Sequence, residues 1–595
     1  MITCRGILVL MLLAVTPAVA RANPVTDWNA EFLTIAQETS GNLVDGPPEI
    51  ARDMAILGNA MQDAVNAATG STLPYYAYTG GSVAGADASV AASVAAYSAL
   101  ASIFNDAAWQ TPISTVTGSG TVNDSNVALA NSVVLPQLAA FLNTEIGGLG
   151  TSYTSNGSLQ SLTCLPSSAA CLGYNLGIAA ASAVTAAQAN DGAVQAQQTG
   201  LLNNVPTTGP NLQPGVSGTT PGVYVPPTTR PEMMPTWGGV APTGVTAAQS
   251  GQIAAQVAAA RAAVPGPPPI GSQAYADALL EVECSGSSQP LASLPANVRS
   301  ACAGAGYTQE TTAQAEAALF WNDPGTTIQP PGHWLQIADT VMASQGTSLL
   351  RSAELTALLG DAENDAGIAT WGVKYTYNLW RPVTAIRACA SGTSDGSVSW
   401  NPYFTGCDAT WSSLIATPPH PDYVAGHPAF SGAGASVLAD FFGTDKIGFS
   451  SVSNYYCNQG TTNFDSSHLV ASCTFNGVNY SVGNPSDCAD IVDGINVNGS
   501  PLICPITETF DSFTAASSGA NGAEFSRIAG GIHTPFSVRD ALDLGDAIGT
   551  DVARDAGLPD VLPEPATWGV MAAGGLMLLQ VHRRRARLGT GNPLK

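Results

Sequence analysis

Thr417-Pro418-Pro419-His420-Pro421-Asp422-Tyr423-Val424-Ala425-Gly426-His427 runs directly into Pro428-Ala429-Phe430-Ser431-Gly432-Ala433-Gly434-Ala435. Proline rings fix φ and withhold backbone donors, so the first half reads as a loop. The small residues that come next read as a helix packed closely on its neighbours. The loop therefore delivers Gly426-His427 to a helix start, where free N–H groups and the helix dipole favour an anion. A histidine placed there can serve as acid or base.

Working outward, two further segments carry the same kind of chemistry. Lys374 and Arg381 lie seven residues apart, so two turns of one helix would project both from a single face, with Pro382 ending that helix just beyond. Ser526-Arg527-Ile528-Ala529-Gly530-Gly531-Ile532-His533 brackets two glycines, which permit close backbone approach, between an arginine and a histidine. Arginine recognises oxyanions through paired donors, and a neutral imidazole can attack phosphorus or ligate a metal. All three segments point to one tetrahedral oxyanion.

Composition sharpens this. The 595 residues are only 10% charged, with 43 acidic and 19 basic side chains and a net charge of -24. A broad phosphate-binding surface has nothing to be made from, so nucleic acid is excluded as a partner. The lysines are Lys374, Lys446 and Lys595, and four arginines crowd into Arg583, Arg584, Arg585 and Arg587. That Lys374, Arg381 and Arg387 fall within fourteen residues of so acidic a chain marks the region as a place where cations are concentrated on purpose.

Lys374-x6-Arg381-Pro382, Gly426-His427 and Ser526-Arg527-x5-His533 together resemble the three-part signature of the vanadium-dependent haloperoxidase and type 2 phosphatidic-acid phosphatase superfamily. Softer similarity to bacterial haloperoxidases extends to Asp27-Trp28-Asn29, to Ala60 through Asn66, to Phe320-Trp321 and to Pro330-Pro331-Gly332-His333-Trp334. The resemblance implies an all-α fold of helical bundles. It makes Lys374, Arg381 and Arg527 the cationic cradle for vanadate or phosphate, and Gly426 a backbone donor to it. His427 becomes the acid–base residue, and His533 the direct ligand of vanadium or the nucleophile of a phosphatase. Trp371 and His420 are the implied halide-pocket residues, the first matching chloroperoxidase-like members and the second bromoperoxidase-like ones. Two positions depart from the family. Ala425 replaces a serine whose hydroxyl would bond the oxyanion, a loss of about 0.5–1.5 kcal/mol or up to about tenfold in affinity. Ser537 stands where an acidic residue often comes four after the last histidine, with Asp540 three further on. His333 and His468 read as structural or surface residues.

Three functions compete on this reading. One is an exported haloperoxidase oxidising halide with hydrogen peroxide. Another is an acid phosphatase working on a phosphate ester through a phosphohistidine. The last is a weakened scaffold of the extracellular matrix.

The organisation of the chain is set by its pattern. Residues 1–22 read as a signal peptide, with Arg5 before an apolar run and Ala18-Val19-Ala20 or Ala20-Arg21-Ala22 as the cleavage site. Helical periodicity runs through 26–70, with Met54, Leu57, Met61, Ala64, Val65 and Ala68 on one face. Residues 82–104 and 175–190 are alanine-rich and read as packed helices. The N-terminal helical region, 23–350, holds a Pro/Gly/Thr-rich excursion or linker at about 199–243. The catalytic region, 351–558, holds a cysteine-rich insertion with β-like runs, such as Leu502 to Cys504, at about 443–505.

Export gives the cysteines an oxidising destination. Cys164 with Cys171, Cys284 with Cys302 and Cys389 with Cys407 are neighbours in sequence, and the pairing of Cys457, Cys473, Cys488 and Cys504 stays open.

Pro563-Glu564-Pro565, the apolar stretch from Ala566 to Val581 and the arginine cluster resemble, over 562–587, the PEP-CTERM sorting signal of Gram-negative bacteria. That resemblance implies an apolar helix held transiently in the membrane, an exosortase as processing partner, and delivery to the periplasm, cell surface or matrix.

Overall fold

In the computed structural model the described residues are 23–39, 46–110, 126–147, 165–201, 221–224, 232–308, 311–325, 327–388, 400–405, 408–453 and 506–561, with short strands at 114–117, 120–123, 472–475, 478–482 and 502–503. The signal peptide, the sorting segment, His468, and the Cys389–Cys407 pair lie outside them. Among the described helices, those that frame the core and the site are α1 (Pro24–Thr39), α2 (Pro47–Thr69), α3 (Ala88–Phe104), α4 (Ala169–Gln188), α5 (Gln273–Ser285), α6 (Ala296–Ala305), α7 (Gln329–Gln345), α8 (Leu349–Tyr377), α9 (Pro382–Ala388), α10 (Gly426–Phe442), α11 (Ala523–Ala529) and α12 (Pro535–Asp555). The all-α expectation is borne out.

Two tightly packed helix pairs form the centre. α2 crosses α8 where a Cβ on Gly58 would stand 2.7 Å from the backbone of Ala357, and one on Gly360 would stand 2.7 Å from that of Ala55. α10 crosses α12 in the same way, through Gly432 against the backbone of Leu542 and Asp546. Small residues at these crossings let backbones approach, which explains the glycine and alanine repeats of the sequence. α8 also packs on α10, so the two pairs share one core.

The periodicity of α2 predicts one buried face, but Pro48 through Ala67 are buried all round. Several of the polar residues that suggest an exposed face find partners inside. Asn59 donates to Asp361 of α8 at 2.7 Å, and Asp63 accepts from the backbone of Tyr76, Ala77 and Tyr78. Asn29, in the Asp27-Trp28-Asn29 motif, ties α1 to Asp339 of α7 and Thr356 of α8. The described end of the Pro/Gly/Thr-rich excursion returns to the core, where Asp365 accepts from the N–H groups of Thr243 and Gly244.

Cys284 of α5 and Cys302 of α6 are disulfide-bonded, as their spacing predicts. Strands Phe449–Ser453 and Ile506–Phe510 pair antiparallel and close the base of the cysteine-rich insertion. Leu502–Ile503 is a strand, as its β-like pattern predicts, paired parallel with Val478–Val482.

Candidate active site

The site forms where α8, α10, α11 and α12 meet. α8 ends at Tyr377, because Asn378 takes the left-handed conformation (φ 48°) and its N–H caps Lys374 O. The single helix predicted through Arg381 is therefore corrected. Lys374 sits in the last turn of α8, whereas Arg381 arrives from the connection beyond it. Pro382 does not break that helix but opens α9, at a position where its missing N–H costs nothing. The two cations still converge, brought together by a turn and not by helical pitch.

Gly426-His427 does open α10, as the sequence predicts. Ala425 is the N-cap with no side-chain bond, so the hydroxyl missing from the sequence is missing from the site, and its N–H goes to Ser537 O at 3.1 Å. On the third segment, α11 presents Arg527 in its last turn. Gly531 then reverses the chain at φ 75°, which a side chain would resist, and Thr534-Pro535 starts α12 immediately after His533.

His533 occupies the centre. Its Nδ1 lies 2.6 Å from Asp422 Oδ1, and its Nε2 lies 2.9 Å from Arg381 Nη1. A carboxylate on Nδ1 assigns the proton there and leaves Nε2 unprotonated, its lone pair accepting from Arg381. Burial, then the Arg381 and Lys374 charges, pushes His533 well below the usual histidine range, which keeps that lone pair available. Arg381 donates to His420 O at 2.6 Å and Ile532 O at 2.8 Å, and approaches His420 Nδ1 at 2.9 Å. Lys374 Nζ donates to Pro421 O at 2.9 Å and Asp422 O at 3.3 Å. Arg527 Nη1 stands 3.4 Å from His427 Nε2. His427 has a 12% exposed side chain, whereas His533 and the three cations are buried, so His427 sits at the mouth of the site.

The electrostatics call for an anion. Burial pushes Arg527 down to about 9 and Arg381 down to about 10, and burial joined by the Arg381 charge holds Lys374 well below the usual lysine range. Buried cations resist ionisation in this way when counter-charge is insufficient. The carboxylates that face the three are Asp422, which burial raises to about 6 against the pull of Arg381, and Asp323. Three cations, a helix start and an unprotonated Nε2 fit a tetrahedral oxyanion, vanadate or phosphate, with the nitrogen available as a direct donor. Trp371 and His420, the halide-pocket candidates, form one wall with ring centroids 5.2 Å apart, and Trp371 Nε1 donates to Met233 O.

Two residues of the site escape the sequence reading. Asp422 holds His533 and also accepts from Thr534 Oγ1 at 2.8 Å, while Ser537 Oγ donates to the Asp422 carbonyl at 2.9 Å. The missing acidic residue at Ser537 is the signal that another carboxylate must serve. Asp540 does not serve there, since it accepts from the Tyr423 hydroxyl and pairs with Arg539. The second is Asp323, 3.9 Å from His427 Nε2.

Fold and site define the class: a helical-bundle protein in which buried cations from α8, its outgoing connection and α11 gather beside two histidines. Residues 354–557 match the family model described as the VCPO second helical-bundle domain. Over 139 residues the chain is 30% identical to the vanadium chloroperoxidase of Curvularia inaequalis, a match covering 21% of this chain and 22% of that protein. The matched stretch thus spans about a fifth of that relative's length. A bacterial vanadium-dependent iodoperoxidase structure superposes with a TM-score of 0.53 at 18% identity, over 91% of this chain and 98% of that one. A holo-type bacterial vanadium-dependent chloroperoxidase gives 0.50 at 15% identity, over 88% and 95%. The chain thus has the fold of these vanadium haloperoxidase structures, and its C-terminal bundle carries the family-model match.

Proposed function

We propose that the protein is an exported vanadate-dependent haloperoxidase that oxidises a halide with hydrogen peroxide to a hypohalous acid equivalent. The observation that carries this is the unprotonated His533 Nε2, set by the Asp422 bond at Nδ1 and turned toward Arg381 with the charges of Lys374 and Arg527 nearby. In this role Lys374, Arg381, Arg527 and the Gly426 N–H hold the oxyanion, and His533 supplies its nitrogen ligand. Bound vanadate would supply Lewis-acid activation of peroxide, which then accepts two electrons from the halide and gives up one oxygen to it. His427, unprotonated through burial and the adjacent Arg527, takes up and returns protons at the mouth of the site. Trp371 and His420 line the wall offered to the halide.

A phosphatase reading uses the same donors, with His533 Nε2 as nucleophile on a phosphate ester. Adding orthovanadate separates them: the haloperoxidase gains halide oxidation on loading, whereas a phosphatase loses ester hydrolysis. Halogenation absent from vanadate-loaded protein, together with ester hydrolysis by vanadate-free protein, would reverse the assignment.

Export rests on the signal-peptide pattern and fits the Cys284–Cys302 bond, which persists in oxidising compartments. Sorting and removal of the tail rest on Pro563-Glu564-Pro565, the apolar stretch from Ala566 to Val581 and the cluster Arg583, Arg584, Arg585 and Arg587. Intact mass of native material tests both, since a secreted form that retained Arg585 would contradict tail removal.

A further inference from the structure

His333 reads from the sequence as structural or surface. It is buried on α7, with its ring held against Phe320 and Trp321 at centroid distances of 4.9 and 4.7 Å. Its two nitrogens are both committed. Nδ1 lies 3.2 and 3.1 Å from Asp323 Oδ1 and Oδ2, and Nε2 lies 3.1 Å from Ser451 Oγ. Ser451 stands on the strand that enters the cysteine-rich insertion and reaches Gln336 of α7 at 3.0 Å. Asp323 holds a backbone φ of 37°, a left-handed conformation that non-glycine residues adopt at a cost and that clusters at functional sites. Its Oδ2 also faces His427 Nε2 at 3.9 Å.

The groups around His427 come from every neighbouring element: Arg527 from α11, Lys374 from α8, His333 from α7, His420 from the proline-rich loop, and, from the connection before α7, Asp323 and the backbone of Asn322, to which His427 is hydrogen-bonded. Among these described groups Asp323 is the one carboxylate. The connection that carries Asp323 and the Asn322 backbone bond can orient the His427 ring only if its own position is fixed, and the bond from His333 Nδ1 to Asp323 fixes it. We propose that His333 is a positioning residue for His427, acting through Asp323, and that Ser451 anchors it from the foot of the insertion. The site then contains two histidine–carboxylate pairs with separate duties. His533 with Asp422 presents a nitrogen to the oxyanion, whereas His333 with Asp323 sets the ring of His427.

The test rests on the haloperoxidase reading for its kinetic arm only. Parent, His333→Gln and Ser451→Ala proteins are compared in two measurements. The first tracks the His427 ring nitrogens by long-range nitrogen–proton spectroscopy in vanadate-free protein. The second measures kcat, the KM for peroxide and vanadate affinity. His333→Gln should displace the His427 resonances and lower kcat roughly tenfold, with KM and vanadate affinity within about twofold of the parent. Ser451→Ala, which leaves the His333–Asp323 bond in place, should move the resonances the same way by less. Should His333→Gln fail to fold, displacement of the resonances in Ser451→Ala supports the proposal. Unmoved His427 resonances in either folded variant overturn it. A parent that turns over neither halide nor phosphate ester would defeat the functional reading, while the vanadate-free spectra would still decide this one.

Discussion

His533 Nδ1 donates to Asp422 Oδ1 at 2.6 Å, joining residues 111 positions apart. The bond fixes the tautomer of His533 and ties the start of α12 to the proline-rich loop before α10. Asp422→Asn replaces a charge-assisted acceptor by a neutral one, a difference of about 1–2 kcal/mol. Vanadate affinity should fall about tenfold, and calorimetric titration of the folded variant checks it. Unchanged affinity would mean that Arg381 and packing alone orient the ring.

Burial holds Lys374 well below its usual range in the free protein, so an arriving anion favours its charged form and raises its pKa. Binding should therefore take up protons, and affinity should weaken as pH rises and the free site loses charge, through Arg527 near about 9 and finally Arg381 near about 10. Sulfate is the suitable probe, because its own charge stays constant across this range. Titration in buffers of different ionisation enthalpy reads the proton uptake directly, and proton release would contradict the account.

Much of this site is legible in the sequence because cations are scarce in an acidic chain, and Lys374, Arg381 and Arg527 stand out before any fold is known. The route to Arg381 is not legible. Seven-residue spacing suggests a helix, but Asn378 tolerates φ above zero and stops α8 early. Asp422 escapes notice because its partner lies far along the chain, although Ser537 exposes a missing carboxylate. Asp323 lies between the motifs Phe320-Trp321 and Gly332-His333-Trp334, and only the turn between them brings its side chain to His427. For α2, the apolar stripe is legible, but polar residues satisfied by α8 and the Tyr76–Tyr78 segment hide the burial of the other face.

The crossing of α2 and α8 leaves no room for a methyl group at Gly360, whose Cβ would stand 2.7 Å from Cα of Ala55. Gly360→Ala should separate the helices and destabilise the protein by about 1–3 kcal/mol, measured by urea denaturation. An unchanged midpoint would show that the crossing relaxes freely.

The Cys284–Cys302 bond closes a loop with a sequence separation of 18 at the periphery of the site, where Tyr275 of α5 accepts from Trp380 Nε1. Replacing both cysteines by serine should cost about 3 kcal/mol on the loop-entropy account. The thermal midpoint should fall, while sulfate affinity stays within about twofold, since neither cysteine touches the cradle. A sharp loss of affinity at unchanged stability would assign the bond a role in the site.

The central claim is that Lys374, Arg381, Gly426, His427, Arg527 and His533 surround one oxyanion that His533 bonds directly. Equilibrium dialysis against orthovanadate, with vanadium analysis of the retained protein, tests it on the parent, His533→Ala and His427→Ala. The account predicts one vanadium per parent chain, nearly the same for His427→Ala with halide oxidation lost, and none for His533→Ala. His533→Ala protein that retained vanadium as tightly as the parent and still oxidised halide would contradict it.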